Sequence, residues 1–125
     1  YKDIGYFPAK TDDLFNLIPA RITGLLMNLF SIGKFDCKNG FRIMKRDHKN
    51  HKSPNSGYPE SSVAGLLGIQ LGGGNYYHGL YVDKPFIGDY LNKINQEHIK
   101  NTIETMYRAE VGFLILYCLL NLLCR

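Results

Sequence analysis

One polar stretch of the chain, residues 46–79, holds most of the side chains that could carry out chemistry. It begins R-D-H-K-N-H-K-S-P-N-S-G-Y-P-E, passes through a short apolar segment, and ends with three glycines and a tyrosine pair. Lysine and arginine can neutralise phosphate oxygens, and small residues let backbone N–H groups approach an anion. The composition of this stretch predicts a site for a phosphate, a metal-bound phosphate or a substrate amide.

Known nucleotide-binding motifs are absent from this stretch. It lacks the Walker A pattern, and Gly72–Gly74 is not part of a G-x-G-x-x-G fingerprint. Those three glycines also suit the flexible end of a helix. His48 and His51, with Asp47 beside them, could ligate a metal or form a solvated basic loop. No Ser–His–Asp or Cys–His nucleophile arrangement is visible.

The positive charge of the chain is concentrated in one segment. The formal net charge is +4, and residues 34–52 hold seven Lys or Arg against two Asp. Such a run attracts phosphorylated substrates, anionic lipid or nucleic acid. Phe35 and Phe41 are the only Phe, Tyr or Trp residues in the run, so stacking on bases is not favoured and we expect no nucleic-acid partner.

The chain length and the cysteine content limit the class to which the protein can belong. The chain has 125 residues and begins with Tyr1, so we interpret residues 1–125 as a single partial domain of a longer protein. Its three cysteines, Cys37, Cys118 and Cys124, have no metal-ligand spacing. An odd number of scattered cysteines argues against a disulfide scaffold and against a zinc site.

The elements that position the polar stretch are predicted to be helices. Residues 11–32 are predicted as an apolar helix kinked at Pro19, either in a membrane or amphipathic with Arg21 facing water. Residues 1–10 are interpreted as a connector. Residues 34–60 are predicted as a basic loop that ends in the S-P-N-S-G turn.

Two further helices follow the turn. Residues 61–71 are predicted as a helix whose small residues allow close helix contact. Residues 89–124 are predicted as a helix that is amphipathic first and apolar at its end, where it is a buried core helix or, as we favour, a membrane helix. The fold class expected is all-α: a helical integral-membrane protein fragment with a long polar, Gly/Pro-rich loop region. Lys and Arg near membrane spans stay inside, which places the loop on the cytoplasmic side of the inner (plasma) membrane.

Three blocks of sequence resemble one known family. They are D-D-L-F-N-L-I-P-A-R-I-T-G-L-L, the polar stretch described above, and K-P-F-I-G-D. Together they are similar to the C-terminal part of the adenosylcobinamide-phosphate synthase family of cobalamin biosynthesis, from Tyr1 to about Glu110. Members of that family are longer, multi-pass membrane proteins, so the resemblance implies a missing N-terminal part without which this chain is inactive.

The resemblance implies an ATP-dependent ligase. In this reaction a propionate side chain of adenosylcobyric acid, a corrinoid, is joined to aminopropanol or aminopropanol phosphate, with ATP and Mg²⁺. Activation of a carboxylate by phosphorylation requires cations near the phosphate oxygens, and Arg21, Arg46 and Lys52 are the candidate catalytic residues. The candidate carboxylate ligands of Mg²⁺ are Asp12, Asp13 and Asp47. The candidate substrate-binding residues are Asn16, Ser53, Asn55, Ser56, Glu60, Asn75 and Tyr76.

Two other functions are compatible with the same residues. The chain could be a non-catalytic membrane module that binds a corrinoid or a partner enzyme through the polar stretch. From composition alone, it could also be a basic peripheral protein that binds anionic lipid or nucleic acid.

Overall fold

The computed structural model describes residues 2–124, which form a mainly helical framework with two small sheets. The helices are α1 (Lys2–Phe15), α2 (Leu17–Leu29), α3 (Cys37–Asp47), α4 (Gly57–Leu67) and α5 (Gln96–Leu123), and a short 3-10 helix (His48–Asn50) follows α3. The strands are β1 (Leu71–Gly72), β2 (Asn75–Tyr77), β3 (Leu80–Val82) and β4 (Phe86–Ile87). Antiparallel β2 and β3 form a hairpin enclosed by the antiparallel pair β1 and β4. The all-α prediction therefore describes the framework but misses these sheets.

The predicted kinked helix is two helices. α1 ends at Phe15 and α2 starts at Leu17, with Asn16 as a turn between them. Pro19 has no N–H, so the Phe15 carbonyl four residues earlier loses its helical partner, and the chain breaks there. The connector predicted for residues 1–10 is wrong within the described residues, since helix begins at Lys2 and includes Gly5 and Pro8.

Helix α3 lies inside the segment predicted to be a basic loop, and that prediction is wrong. Asp36 caps the helix, because its Oδ1 accepts the N–H of Asn39 at 3.1 Å. The buried side of α3 consists of Gly40, Ile43, Met44 and Asp47. This spacing of i, i+3, i+4 and i+7 is a helical signal, which the abundant charge on the exposed side concealed.

Close contact between α3 and α4 forms the centre of the fold. A Cβ added to Gly65 would lie 2.6 Å from the Asn39 carbonyl oxygen. The Asn39 side chain also donates to the Gly65 carbonyl oxygen at 2.8 Å. The predicted role of small residues in close helix contact is confirmed at this crossing.

The ends of α4 differ from those predicted. The helix begins at Gly57 and ends at Leu67, and the next residue, Gly68, has a left-handed φ of 65° that allows the last turn to close. It therefore includes the last residue of the S-P-N-S-G turn and stops before the three glycines. Its buried residues pack with α2 and α5 in the core cluster Leu26, Met27, Val63, Leu66, Leu67, Ile69 and Ala109.

Helix α5 starts later than predicted and has two different halves. Asn95 caps it by accepting the N–H groups of Glu97 and His98. Within the described part of the chain, α5 is the one helix long and apolar enough to cross a membrane by length and composition. In its most apolar window of 18 residues only 11% are buried. The large apolar side chains of its second half, such as Phe113 and Leu119, are therefore exposed.

Candidate functional site

Most of the predicted site residues lie in two cavities and one group of ion pairs. A cavity of about 670 Å³, here called the strand-side cavity, lies between the loop after α3 and the two small sheets. A cavity of about 320 Å³, here called the helix-side cavity, lies between the α1–α2 junction and the S-P-N-S-G turn. The polar side chains that line the strand-side cavity belong to Asn50, His51, Lys52, Glu60, Asn75, Asp83 and Lys84, with Tyr77 beside them.

A histidine and a carboxylate face each other in the strand-side cavity. The Nε2 atom of His51 lies 3.1 Å from Oε2 of Glu60. The backbone N–H of Ser53 donates to His51 Nδ1 at 2.9 Å. Because Nδ1 accepts this bond, the ring hydrogen lies on Nε2 and points to Glu60. About a third of each side chain is exposed, so the pair is open to a ligand.

Two lysines line the same cavity. Lys52 was predicted to be a catalytic cation, whereas sequence reasoning missed Lys84. Lys84 Nζ lies 4.6 Å from the ring centroid of Tyr77 and 3.2 Å from its hydroxyl. The signal that could have identified Lys84 was its position at the start of K-P-F-I-G-D, one of the three family blocks.

The three glycines shape the wall of the strand-side cavity. Gly72 and Gly73 have φ values of 77° and 87°, and a Cβ on Gly73 would lie 2.4 Å from the Phe86 ring. The N–H of Gly73 donates to the Pro85 carbonyl oxygen at 3.2 Å, so it is already used. The glycines are therefore required by the path of the backbone, and they are not the end of a helix.

Asn75 and Tyr76 were both predicted to bind substrate, but the structure separates them. Asn75 lines the strand-side cavity together with Tyr77. Tyr76 lies between them on β2, is 71% exposed, and packs edge-on against Tyr81. Successive side chains of a strand point to opposite faces, which excludes Tyr76 from the wall that Asn75 and Tyr77 form.

Arg21 does not line either cavity. Its Nε donates to the Tyr58 hydroxyl at 3.1 Å, and its guanidinium lies 5.4 Å from the centroid of that ring. The Tyr58 ring also stacks on the ring of His48, with 4.4 Å between the centroids and an interplanar angle of 14°. Burial, followed by the charges of Lys49 and Arg21, lowers the pKa of His48. His48 is therefore part of a structural stack rather than a metal site.

Arg46 and Asp47 belong to a group of ion pairs that joins α3 to the K-P-F-I-G-D segment. Arg46 donates to both carboxylate oxygens of Asp47, at 2.8 and 2.7 Å, and to Asp89 at 3.0 Å. Arg42 also donates to Asp89, at 2.7 Å. The hydrogen bond from Arg46 lowers the pKa of Asp47, and those from Arg42 and Arg46 lower the pKa of Asp89. The same contacts raise the pKa of Arg46 further above its usual range.

The predicted set of three metal-binding carboxylates is not assembled. Asp47 is 4% exposed, and its Oδ2 also accepts the N–H of Gly88 at 2.7 Å. Both oxygens are thus occupied, and the role of Asp47 as a metal ligand is corrected to a structural one. Across residues 2–124, no three His, Cys, Asp or Glu side chains are grouped as a metal site. Asp12 and Asp13 lie apart from Asp47, in the helix-side cavity.

The helix-side cavity brings together the remaining predicted residues. It is lined by Asp12, Asp13, Asn16, Ser53, Asn55 and Ser56. Asn16 donates to Asp12 Oδ1 at 3.0 Å, which orients that carboxylate. The Asn55 side chain donates to the Asp13 backbone oxygen at 2.9 Å, tying the turn to α1. With Thr23, which also lines it, the cavity presents two carboxylates, two amides and three hydroxyls, and oxygen is the ligand atom that Mg²⁺ prefers.

Comparison with known proteins gives one consistent result. The family model for the CobD/Cbib protein matches residues 1–106. The cobalamin biosynthesis protein CobD of Clostridium acetobutylicum is 51% identical over 122 residues, covering 96% of this chain and 38% of that protein. The protein of the same name from Clostridium tetani is 49% identical over 120 residues, covering 95% and 38%. That from Geobacter metallireducens is 48% identical over 124 residues, covering 98% and 37%. This chain thus spans less than two fifths of the length of these relatives, and no solved structure matches it.

Proposed function

This chain belongs to the CobD/Cbib protein family, and we propose that it is the C-terminal part of an enzyme of cobalamin biosynthesis that forms an amide bond. The bond would join a propionate side chain of adenosylcobyric acid to aminopropanol or its phosphate, with ATP as the source of activation. The observation that carries this proposal is the strand-side cavity, where Lys52 and Lys84 lie beside Glu60 and His51.

The chemistry of that cavity suits an activated carboxylate and an amine. Its volume of about 670 Å³ is within the range of small-molecule sites. The two lysine ammonium groups attract phosphate oxygens, while Glu60 and Asp83 attract a positively charged amine. Positive and negative groups in one cavity are what a reaction between a phosphorylated carboxylate and an amine requires. Arg21 and Arg46, held by Tyr58 and Asp47, would support the walls rather than contact phosphate.

A magnesium ion would fit the helix-side cavity. Mg²⁺ is usually bound through one or two carboxylates together with substrate phosphates. Asp12 and Asp13 supply the carboxylates, and Asn55 and the two serines of the turn supply further oxygens. When bound there, Mg²⁺ would neutralise phosphate charge. The test is replacement of Asp12 and Asp13, described in the Discussion.

We also propose that the protein lies in the plasma membrane. The exposed apolar half of α5 would cross the bilayer, and the missing part of the protein would supply the other spans. The basic α3 and the loop after it would then lie on the cytoplasmic side, where ATP is available. A high-salt wash should leave the protein in the membrane fraction, since salt screens peripheral electrostatic attachment but does not extract an inserted helix. Release by salt would favour a peripheral protein on anionic lipid.

A second candidate function is supported by the β2–β3 hairpin. Tyr76, Leu80 and Tyr81 on this hairpin are 71%, 72% and 59% exposed. Exposed aromatic and apolar side chains of this kind suit a binding surface, so a non-catalytic module for a corrinoid or a partner enzyme is the alternative.

Growth complementation separates the two functions. A bacterium that lacks the family enzyme is supplied with cobyric acid or with cobinamide, and it expresses the longer protein that contains this chain. Growth on both compounds is expected if the protein forms the amide. Growth on cobinamide alone, with the protein well expressed, would reject amide formation and leave the binding module.

A further inference from the structure

We propose that Glu60 is the catalytic group that accepts the proton of the attacking amine, and that His51 is the residue that positions it. This inference rests on the proposed function. The sequence indicated Glu60 as a substrate-binding residue, and it indicated His51 as a metal ligand or a loop residue. The structure places the two in contact within the strand-side cavity.

The hydrogen bonds around His51 define the role of each residue. The Ser53 N–H occupies Nδ1 at 2.9 Å, which leaves Nε2–H to donate to Glu60 Oε2 at 3.1 Å. His51 therefore has no free lone pair for a proton, whereas the Glu60 carboxylate has oxygen lone pairs beyond the one that accepts from His51. A carboxylate held in one orientation by a histidine donor is a suitable proton acceptor.

The backbone holds this pair in place. Glu60 lies in the first turn of α4, and its N–H donates to the Ser56 carbonyl oxygen at 3.2 Å. Just before Glu60, the Gly57 Cα packs against the His48 carbonyl, so close that a Cβ there would lie 1.8 Å from the oxygen. The start of α4 and the loop that holds His51 are thus fixed relative to each other.

The other charged groups of the cavity agree with this role. Lys52 and Lys84 line the same cavity as Glu60, and Asp83 gives the incoming ammonium a second partner. Tyr77 and Asn75 complete the polar wall. The cavity can therefore hold an ammonium next to Glu60 and an acyl phosphate next to the lysines.

In the proposed step the amine loses a proton to Glu60 before the C–N bond forms. An alkyl ammonium, with a pKa of about 10 in water, has no lone pair at neutral pH. Glu60 accepts one proton, and the freed lone pair forms the C–N bond at the acyl phosphate carbon. The bond from this carbon to the phosphate oxygen breaks, and its electrons leave with the phosphate. The second nitrogen proton leaves with it as hydrogen phosphate, and Glu60 returns its proton to water.

The experiment measures amide formation from pH 7 to pH 9 by the purified longer protein, with saturating ATP, Mg²⁺ and corrinoid. Glu60→Gln is expected to lose about 10²- to 10⁴-fold in rate at pH 7. Its rate should then rise about tenfold per pH unit, because only amine already neutral in solution can react. The rate of amide formation by the unmodified protein should depend much less on pH. A loss of equal size at every pH, or no loss, would overturn the role of Glu60.

Variants of His51 test the positioning role. His51→Gln keeps an N–H donor for Glu60 and is expected to retain most of the rate, whereas His51→Leu should lose about tenfold or more with a smaller change in KM. His78→Asn is the matched control, because His78 is exposed in the hairpin turn and asparagine tolerates its φ of 53°. Equal rates for the Gln and Leu variants of His51 would overturn the positioning role.

A binding measurement separates this inference from the proposed function. Calorimetry with aminopropanol alone, without ATP or Mg²⁺, should show about tenfold weaker binding to Glu60→Gln than to the unmodified protein. If the unmodified protein forms no amide, the proposed function fails and the inference fails with it. If the unmodified protein forms amide and Glu60→Gln does so equally well at pH 7, the inference alone fails.

Discussion

The backbone N–H of Gly88 donates to the buried carboxylate of Asp47 over 2.7 Å, although the two residues are 41 positions apart in the chain. Through this bond the K-P-F-I-G-D segment is attached to the end of α3, directly beside the strand-side cavity. Asn50 adds a second attachment, because its side chain donates to the Phe86 carbonyl oxygen at 2.9 Å. One wall of the cavity is thus held by Asp47, which the sequence had suggested as a metal ligand, together with Asn50.

Replacement of Asp47 should destabilise the protein. Asp47→Ala leaves the Gly88 N–H without its acceptor and removes both bonds to Arg46, and we expect a loss of about 1–3 kcal/mol in the free energy of unfolding. Glu97→Ala, which removes an exposed carboxylate, is the control and should change it by less than about 1 kcal/mol. Urea unfolding measures the free energy of unfolding of both variants. Equal stability of the two variants would contradict the structural role of Asp47.

The ion pairs of Asp47 and Asp89 should make the protein sensitive to acid. Hydrogen bonds from Arg46 and Arg42 lower the pKa of these carboxyls in the folded protein. Their contribution to stability is therefore complete above the unfolded pKa of about 3.9 and is lost as pH falls through the lower, folded pKa. The melting temperature should fall between about pH 5 and pH 2, and it should fall less in the double variant Asp47→Asn, Asp89→Asn. If the melting temperature of the double variant falls as steeply with decreasing pH as that of the unmodified protein, these ion pairs are not the cause of the acid sensitivity.

His48 should cause a second pH dependence, closer to neutrality. Burial, with the charges of Lys49 and Arg21, lowers its pKa in the folded state. The unfolded chain then binds more protons as pH falls below about 6.5, so stability decreases in that direction until the folded pKa is passed. His48→Phe keeps the stack on Tyr58 and should flatten the melting temperature between about pH 7.5 and pH 5.5, whereas His78→Asn should not. Equal slopes in all three proteins would reject this effect.

Gly57 should be intolerant of any side chain. A methyl group there would lie 1.8 Å from the His48 carbonyl oxygen, so Gly57→Ala must displace backbone and should lower stability by about 1–3 kcal/mol or more. Gly5 in α1 has nothing within 4 Å of an added Cβ. Gly5→Ala is therefore the matched control and should be neutral, or stabilising by up to about 1 kcal/mol, because alanine favours helix. A melting temperature lowered equally by both substitutions would contradict the packing at Gly57.

The helix-side cavity should determine the response to magnesium. Asp12→Asn and Asp13→Asn remove carboxylates that line it and should raise the Mg²⁺ concentration for half-maximal amide formation by about tenfold or more. Asp47→Asn should leave this concentration unchanged, because both oxygens of Asp47 are held by Arg46 and Gly88. An unaltered Mg²⁺ response in the Asp12 and Asp13 variants would remove them as ligands.

Patterns within single segments determined much of this protein from the sequence. The apolar end of α5, the small residues of α4 and the turn at S-P-N-S-G were all predicted, because each depends on neighbours within a few positions. The family was also identified from blocks of local sequence, and the comparisons confirm it. Helix α3 could have been found in the same way, since Gly40, Ile43, Met44 and Asp47 follow helical spacing.

Only the tertiary structure decided which polar side chains share a cavity. Asp47 carries the same charge as Asp12, but contact with Gly88, far away in the chain, makes it structural. Tyr76 and Tyr77 are identical residues, and the pairing of β2 with β3 determines which of them faces the cavity. His51 meets Glu60 only because α4 packs against the end of α3. Local patterns specify helices and turns, whereas the partners of a side chain depend on packing between segments that are distant in sequence.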